Sequence, residues 1–204
     1  MKLLELYNAR IVEARTLNEV NQMHIALGNS LTPTEVVYLH GSLFAKGKHK
    51  PPALRPDSRF TSAQLEENGR LWIDQLRATL KDVGKSRTEL YRRHDLHDAV
   101  VLFSADRRKP RRNLVVALTG ANQRLMMPLA TFLQNFDSGT TDVLYVRDSS
   151  RQGYRGGIPG LADDIAGIGP ALSSLIDMAA YQKRVSVGVS AGGLPGLVAA
   201  LRLG

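Results

Sequence analysis

The sequence predicts an α/β fold in which the sheet is confined to the second half of the chain. Three observations carry this. Apolar residues before position 94 recur near the 3.6-residue helical period. Beyond position 95, short β-rich runs alternate with helical stretches, the pattern of a parallel sheet covered on both faces. The last of those runs ends in a serine flanked by glycines. The expected organisation is a helical region over 1–94, then a partial, mostly parallel sheet domain over 95–204.

In the first region Leu3, Leu4, Leu6 and Tyr7, then Ile11, Val12 and Ala14, mark one face of a helix. Thr32-Pro33-Thr34-Glu35 is a helix start: Thr32 caps, Pro33 fits the first turn and Glu35 stands three residues beyond the cap. Residues 36–54 are similar to one tetratricopeptide helix pair, but Pro51-Pro52 interrupts the second helix, so a plain helical extension is expected. Residues 50–62 hold three prolines and form a loop. Thr61 or Ser62 then caps a helix that runs through Leu71, Ile73, Leu76 and Leu80 to Gly84, with Trp72 as a packing residue.

In the second region, 99–103 (AVVLF) is a strand, 105–112 a basic turn and 113–119 (NLVVALT) a second strand. A helix is expected over 124–136, with Met126 and Met127 in packing positions. A strand over 142–147, a glycine-rich loop to residue 160, a helix over 161–180, a strand over 184–189 and a helix from 194 complete the alternation. Asp163 and Asp164 stand where they favour a helix dipole.

The chain has 204 residues, 43% hydrophobic and 23% charged, which excludes a disordered or collagen-like polymer. Its apolar runs fall far short of the ~20 residues of a membrane span, and no secretion signal opens it; no membrane span and a cytoplasmic location are expected. Zero cysteines exclude thiolate metal sites and a disulfide framework. Lys and Arg outnumber Asp and Glu by 27 to 19, and residues 85–112 hold nine of the former and four of the latter. That cluster lacks interleaved stacking aromatics, so a solvated basic face is expected and no nucleic-acid partner.

The chemistry concentrates at Gly188-Val189-Ser190-Ala191-Gly192, between a β-rich run and an apolar helix. A serine on a sharp strand-to-helix turn presents its hydroxyl above the sheet, and near-absent side chains two residues either side let strand and helix approach. The helix start and the Ala191 N–H can then stabilise an oxyanion. Here residues 98–204 resemble the α/β-hydrolase superfamily, and Ser-Ala-Gly-Gly is similar to that of esterases related to hormone-sensitive lipase. The resemblance implies hydrolysis of an ester or related acyl bond through an acyl-enzyme at Ser190, without metal or organic cofactor. It implies a second oxyanion segment at Thr119-Gly120-Ala121-Asn122, where Ala121 and Asn122 would donate and Gly120 would adjoin the substrate. Thr119 replaces the histidine of the family's usual His-Gly-Gly.

The family's order places an acid and a histidine after the nucleophile. Fourteen residues follow Ser190, none of them Asp, Glu or His, and all five histidines (His24, His40, His49, His94, His97) precede it. His94 and His97 are expected on the surface. The expectation is therefore the N-terminal part of a longer hydrolase, competent only if the chain continues beyond Gly204. Within the loop over 148–160, Arg151, Tyr154 and Arg155 are candidates to hold an anionic or glycan-like small-molecule substrate, against a reading of the loop as merely solvated.

Two other resemblances are weaker on their own residues, the second kept as an alternative within serine hydrolysis. Residues 114–122 are similar to the opening of a short-chain dehydrogenase, but Arg124 and Met126 stand where its glycines admit a pyrophosphate. Patatin-like lipases share the serine motif, yet need a glycine-rich loop to which this chain contributes Gly120 alone. The alternative of another class is a hydrolase-like binding module without catalysis, its N-terminal helices docking a protein partner.

Overall fold

A computed structural model of the chain describes residues 3–44, 61–80, 91–105 and 112–203. Those residues divide into two compact units. One is drawn from Met1–Ser86 and Pro128–Gln134, the other from Arg87–Met127 and Asn135–Gly204. The proline loop expected over 50–62 lies almost wholly outside the described residues, as do most of the basic turn and the end of the helix expected at Gly84.

The first unit is helical: α1 (Leu3–Ile11), α2 (Leu17–Gly28), α3 (Pro33–Phe44), α4 (Ser62–Ala78) and the short α5 (Leu129–Leu133). Local chemistry starts three of these helices. At α3 the Glu35 N–H donates to Thr32 Oγ1 at 3.3 Å while the Thr32 N–H donates to the Glu35 carboxylate at 2.7 Å, the reciprocal box expected there. Thr61 and Gln64 do the same at α4. Thr16 and Glu19 form a third box at α2. The apolar faces close on a core of Tyr7, Ile11, Val20, Leu31, Val36, Leu39, Leu65 and Ile73, to which Ala130 contributes. Each such buried aliphatic side chain adds about 1.5–3 kcal/mol. Trp72 packs as expected: its ring lies parallel to His24 at 4.3 Å, and Tyr7 stacks beside both. Burial pushes the His24 imidazole down to about 4, so it is neutral in this stack at neutral pH, with Nε2 at 3.1 Å from the Tyr7 hydroxyl.

The second unit is an α/β sheet of five strands: β1 (Arg92–His97), β2 (Val100–Ser104), β3 (Arg112–Leu118), β4 (Thr141–Val146) and β5 (Tyr181–Gly188), in the spatial order β1-β2-β4-β3-β5. β3, β4 and β5 are parallel, β2 is antiparallel to β4, and β1 is antiparallel to β2, so β2 alone runs against the other four. The three inner strands are buried along almost their whole length while β1 and β5 are largely exposed, as continuous Val/Leu runs in a two-faced parallel sheet require. On one face Leu102, Leu114, Val116, Leu118, Leu144 and Val146 pack with Ile168 of α6 (Ile165–Leu175) and Ala199 of α7 (Gly193–Leu203). Asp164 caps α6, its carboxylate taking the Gly167 N–H at 2.7 Å. Among the described residues no helix is long and apolar enough to cross a membrane.

Three expectations need correction. The strand β1 lies where the helical region was expected to end and straddles residue 94; its sequence is charged, and hydrogen bonding to β2 rather than an apolar run makes it a strand. The helix expected over 124–136 is reduced to five residues, because Pro128 precedes it and 120–127 fold into a tight turn. Met126 and Met127 consequently do not pack in a core: they are 76% and 40% exposed.

Candidate functional site

β3 and β5 are neighbours in register, Leu118 opposite Gly188, and the Val189 N–H reaches the Leu118 carbonyl at 3.2 Å. The two strands therefore end side by side, and their loops meet. After β5 the chain makes a single 3-10 turn over Ser190–Gly192 and enters α7 at Gly193. Ser190 holds φ at +51°, a left-handed conformation that costs a non-glycine residue about 1–2 kcal/mol, and its side chain is exposed. The turn is too tight for side chains at either flank. A Cβ on Gly188 would run into the Gly192 carbonyl, and one on Gly192 would stand 2.6 Å from the carbonyl oxygens of Leu118 and Thr119. This is a strained strand–turn–helix elbow that presents a serine hydroxyl.

The loop after β3 closes on itself, the Gly120 N–H donating to the Arg124 carbonyl at 3.2 Å and the Gln123 N–H to the Gly120 carbonyl at 2.8 Å. Gly120 lies against the elbow: a Cβ there would be 3.4 Å from the Ser190 Cβ. The backbone N–H groups of Ala121 and Asn122 on this loop, and of Ala191 on the elbow, have no acceptor among the described residues. Those of Gly192 and Gly193 do: they donate to Val189 and Ser190 carbonyls. Ala121 and Asn122 are exposed and Ala191 half-buried, so these donors are open to a ligand.

The loop after β4 completes the platform. Asp148 is fully buried and accepts the Ser150 hydroxyl and N–H on one carboxylate oxygen and the Tyr154 N–H on the other. Burial alone would raise its carboxyl, but the Ser150 hydroxyl and the N–H groups of Tyr154, Gly153 and Ser150 outweigh that and hold it below the ordinary range. Tyr154 is also buried, its hydroxyl donating to the Val146 carbonyl at 3.0 Å and lying 3.3 Å from the Thr119 hydroxyl. Burial pushes that phenol up to about 12. Tyr154 thus braces the loop from inside, whereas the sequence alone offers it either as a substrate contact or as part of a solvated loop; Arg151 and Arg155 are exposed. Gln123 ties two loops together, its amide donating to the Asp148 carbonyl at 3.1 Å and its carbonyl accepting the Tyr145 hydroxyl at 3.0 Å. A Cβ on Gly153 would sit 3.5 Å from that of Ala191.

Among the described residues every non-glycine with positive φ (Gln123, Met126, Arg151, Tyr154 and Ser190) lies in one of these three loops. Backbone strain gathers where surrounding structure holds a functional geometry. Sequence reading found Ser190, Ala191 and the 119–122 turn. It missed Asp148 and Gln123, although Asp-Ser-Ser after a strand carries the signal of an Asx turn.

No histidine is hydrogen-bonded to Ser190 among the described residues. His97 ends β1 at the same end of the sheet, but its Nδ1 accepts the Ala99 N–H at 3.2 Å. Four strand-to-strand steps separate β1 from β5, about 19 Å at the usual spacing. His24 and His40 belong to the helical unit, where His40 pairs with Asp74 at 3.0 Å. No group of three or more His, Asp or Glu among the described residues is placed to hold a metal ion. No protein-family model, curated protein or solved structure matches this chain.

Proposed function

We propose that the chain carries the nucleophile and oxyanion half of a serine hydrolase of the α/β-hydrolase type. The observation that carries this is Ser190: exposed, held at φ +51°, and flanked by two glycines whose positions admit no side chain. A residue under strain with its hydroxyl in solvent has no role in the core. In an acyl transfer its Oγ attacks the ester carbonyl carbon while a base takes the hydroxyl proton. The negative charge that develops on the carbonyl oxygen falls to the Ala191 N–H and to the Ala121 or Asn122 N–H across the β3 loop. Collapse then breaks the bond to the leaving alkoxide, which recovers the proton, and water hydrolyses the acyl-enzyme.

This chemistry needs a histidine within hydrogen-bond reach of Ser190 Oγ. Its absence among the described residues favours a second reading, a platform that binds acyl or anionic groups without turning them over, and leaves the helical unit as the surface for a protein partner. Labelling with an alkyl fluorophosphonate, on the protein made in its own cell where the base that Ser190 needs is supplied, separates the two. The hydrolase reading expects one adduct, mapped to Ser190 and lost in Ser190→Ala. A folded chain that takes no adduct, or takes it elsewhere, gives the site to the binding reading.

A further inference from the structure

The end of β1, the turn into β2 and the residue after β4 frame a cleft of about 390 Å³, lined by Asp95, Leu96, His97, Asp98 and Arg147. It belongs wholly to the sheet unit, at the end where the parallel strands finish. That is the end at which α/β sheets receive ligands. Two contacts fix its walls: the Arg147 N–H donates to the Ala99 carbonyl at 2.8 Å, and Nη2 donates to the Asp98 carbonyl at 2.6 Å. Arg147 Nε is buried and has no hydrogen-bond partner among the described residues. An orphaned donor of this kind calls for an acceptor from outside the chain. His97 Nδ1 accepts the Ala99 N–H at 3.2 Å, so in the neutral imidazole Nε2 carries the proton and is a second donor.

The carboxylates of Asp95 and Asp98 line the same cleft and have neither a hydrogen bond nor an ion pair among the described residues. A guanidinium and two carboxylates thus share one cleft without pairing. A simple anion on Arg147 would be repelled by both carboxylates, and a simple ammonium would leave Nε unmet. Asp95, His97 and Asp98 form no group that could hold a metal ion. One molecule that carries both poles answers every one of these groups.

We propose that this cleft is a binding site, separate from the elbow, for a small zwitterion that joins a carboxylate to an ammonium, the chemistry of a free amino acid. Arg147 Nε and His97 Nε2 donate to the carboxylate, while Asp95 and Asp98 accept from the ammonium. The contacts of Arg147 with the turn hold the guanidinium in place before the ligand arrives, which lowers the cost of binding. The inference does not depend on Ser190 acting as a nucleophile.

The test is an amide NMR titration of the full chain with L-alanine, N-acetyl-L-alanine and L-alaninamide, the last two lacking one pole each. L-Alanine should shift the signals of residues 95–98 and 147, and each one-pole analogue should bind about tenfold more weakly or worse. In Asp95→Asn/Asp98→Asn, which removes two carboxylates without protein partners, the advantage of L-alanine over N-acetyl-L-alanine should fall toward one. Arg147→Gln should likewise cancel its advantage over L-alaninamide. Absence of shifts with L-alanine overturns the proposal. Equal binding of either analogue to the original chain overturns it too, since a single pole then suffices. A preference for L-alanine that survives in the double variant also overturns it, because the ammonium is then held elsewhere.

Discussion

At the amino end of the parallel strands, Arg112 of β3 is 4% exposed and has partners on every side. Its Nε donates to Asp142 at 2.9 Å, Nη1 to the Gly139 carbonyl at 2.8 Å, and Nη2 to the Ser138 carbonyl at 2.7 Å. The second Asp142 oxygen takes the Tyr181 hydroxyl of β5 at 3.1 Å. One guanidinium and one carboxylate thus join the starts of three strands. The carboxyl end of the same strands is built the other way, with five strained non-glycine residues and open backbone donors at Ala121, Asn122 and Ala191. The contrast separates two duties within one sheet. The Arg112–Asp142 pair is satisfied where it ties three strands together, and backbone donors are left open under strain where a ligand would be received.

The comparison breaks most sharply at Arg112. Arg112→Met strands Asp142 as a buried, unpaired carboxylate, and chemical denaturation is expected to show a loss of about 3–5 kcal/mol. Phosphonate reactivity of the molecules that remain folded should be unchanged, because the damage lies at the opposite end from Ser190. If reactivity and stability fall together, the two ends are not separable in this way.

Asp148 gives a smaller effect and tests how far the strained end depends on its own polar scaffold. Asp148→Asn weakens charge-assisted hydrogen bonds worth about 1.5–3 kcal/mol. Acid titration adds a sign. The folded carboxyl sits below its unfolded value, so the native state binds fewer protons in the window between the two. Its stabilisation is present above the ordinary carboxylate pKa and is lost as pH falls through the folded value. Stability measured from pH 6 down to pH 3 should decline less steeply in Asp148→Asn than in the original chain, and parallel curves would remove Asp148 as the organiser of the loop.

The smallest effect has the opposite sign. Ser190→Gly relieves about 1–2 kcal/mol of left-handed strain and costs about 0.5–1 kcal/mol in backbone entropy. The variant should be more stable by about 0.5–1 kcal/mol while losing every trace of phosphonate labelling. A destabilised Ser190→Gly would mean that the serine side chain supports the fold, and the argument from strain would lapse.

What could be read from the sequence was local. The caps at Thr32 and Thr61 were legible because both partners of each box lie within four residues, and the Thr16–Glu19 box carried the same pattern unremarked. The elbow was legible because glycine is demanded by contacts between a strand and the helix that follows it. Long-range pairing was not. Nothing in the charged residues 92–97 announces a strand until β2 is beside them, and the order that seats β4 between β2 and β3 comes from the assembled sheet. The turn over 120–127 replaced a helix because Gln123 is claimed by Tyr145 and Asp148, residues 22 and 25 positions away. Tyr154 reads as a candidate substrate contact for the same reason: only the fold reveals that its hydroxyl is engaged on Val146.

The outer edge of β5 has a consequence for how these molecules behave in a crowd. Among the described residues β5 closes the strand order, so its far side, from Gln182 onward, turns N–H and C=O groups without a strand partner toward any passing extended chain, with Val185 beside them at 54% exposure. Bare edges of this kind seed edge-to-edge polymers. Lys183 and Arg184 are both exposed on that strand, and two copies pairing through it would have to bring their cations together and strip them of water. The edge therefore repels its own kind, while a strand that brings carboxylates would meet no such barrier.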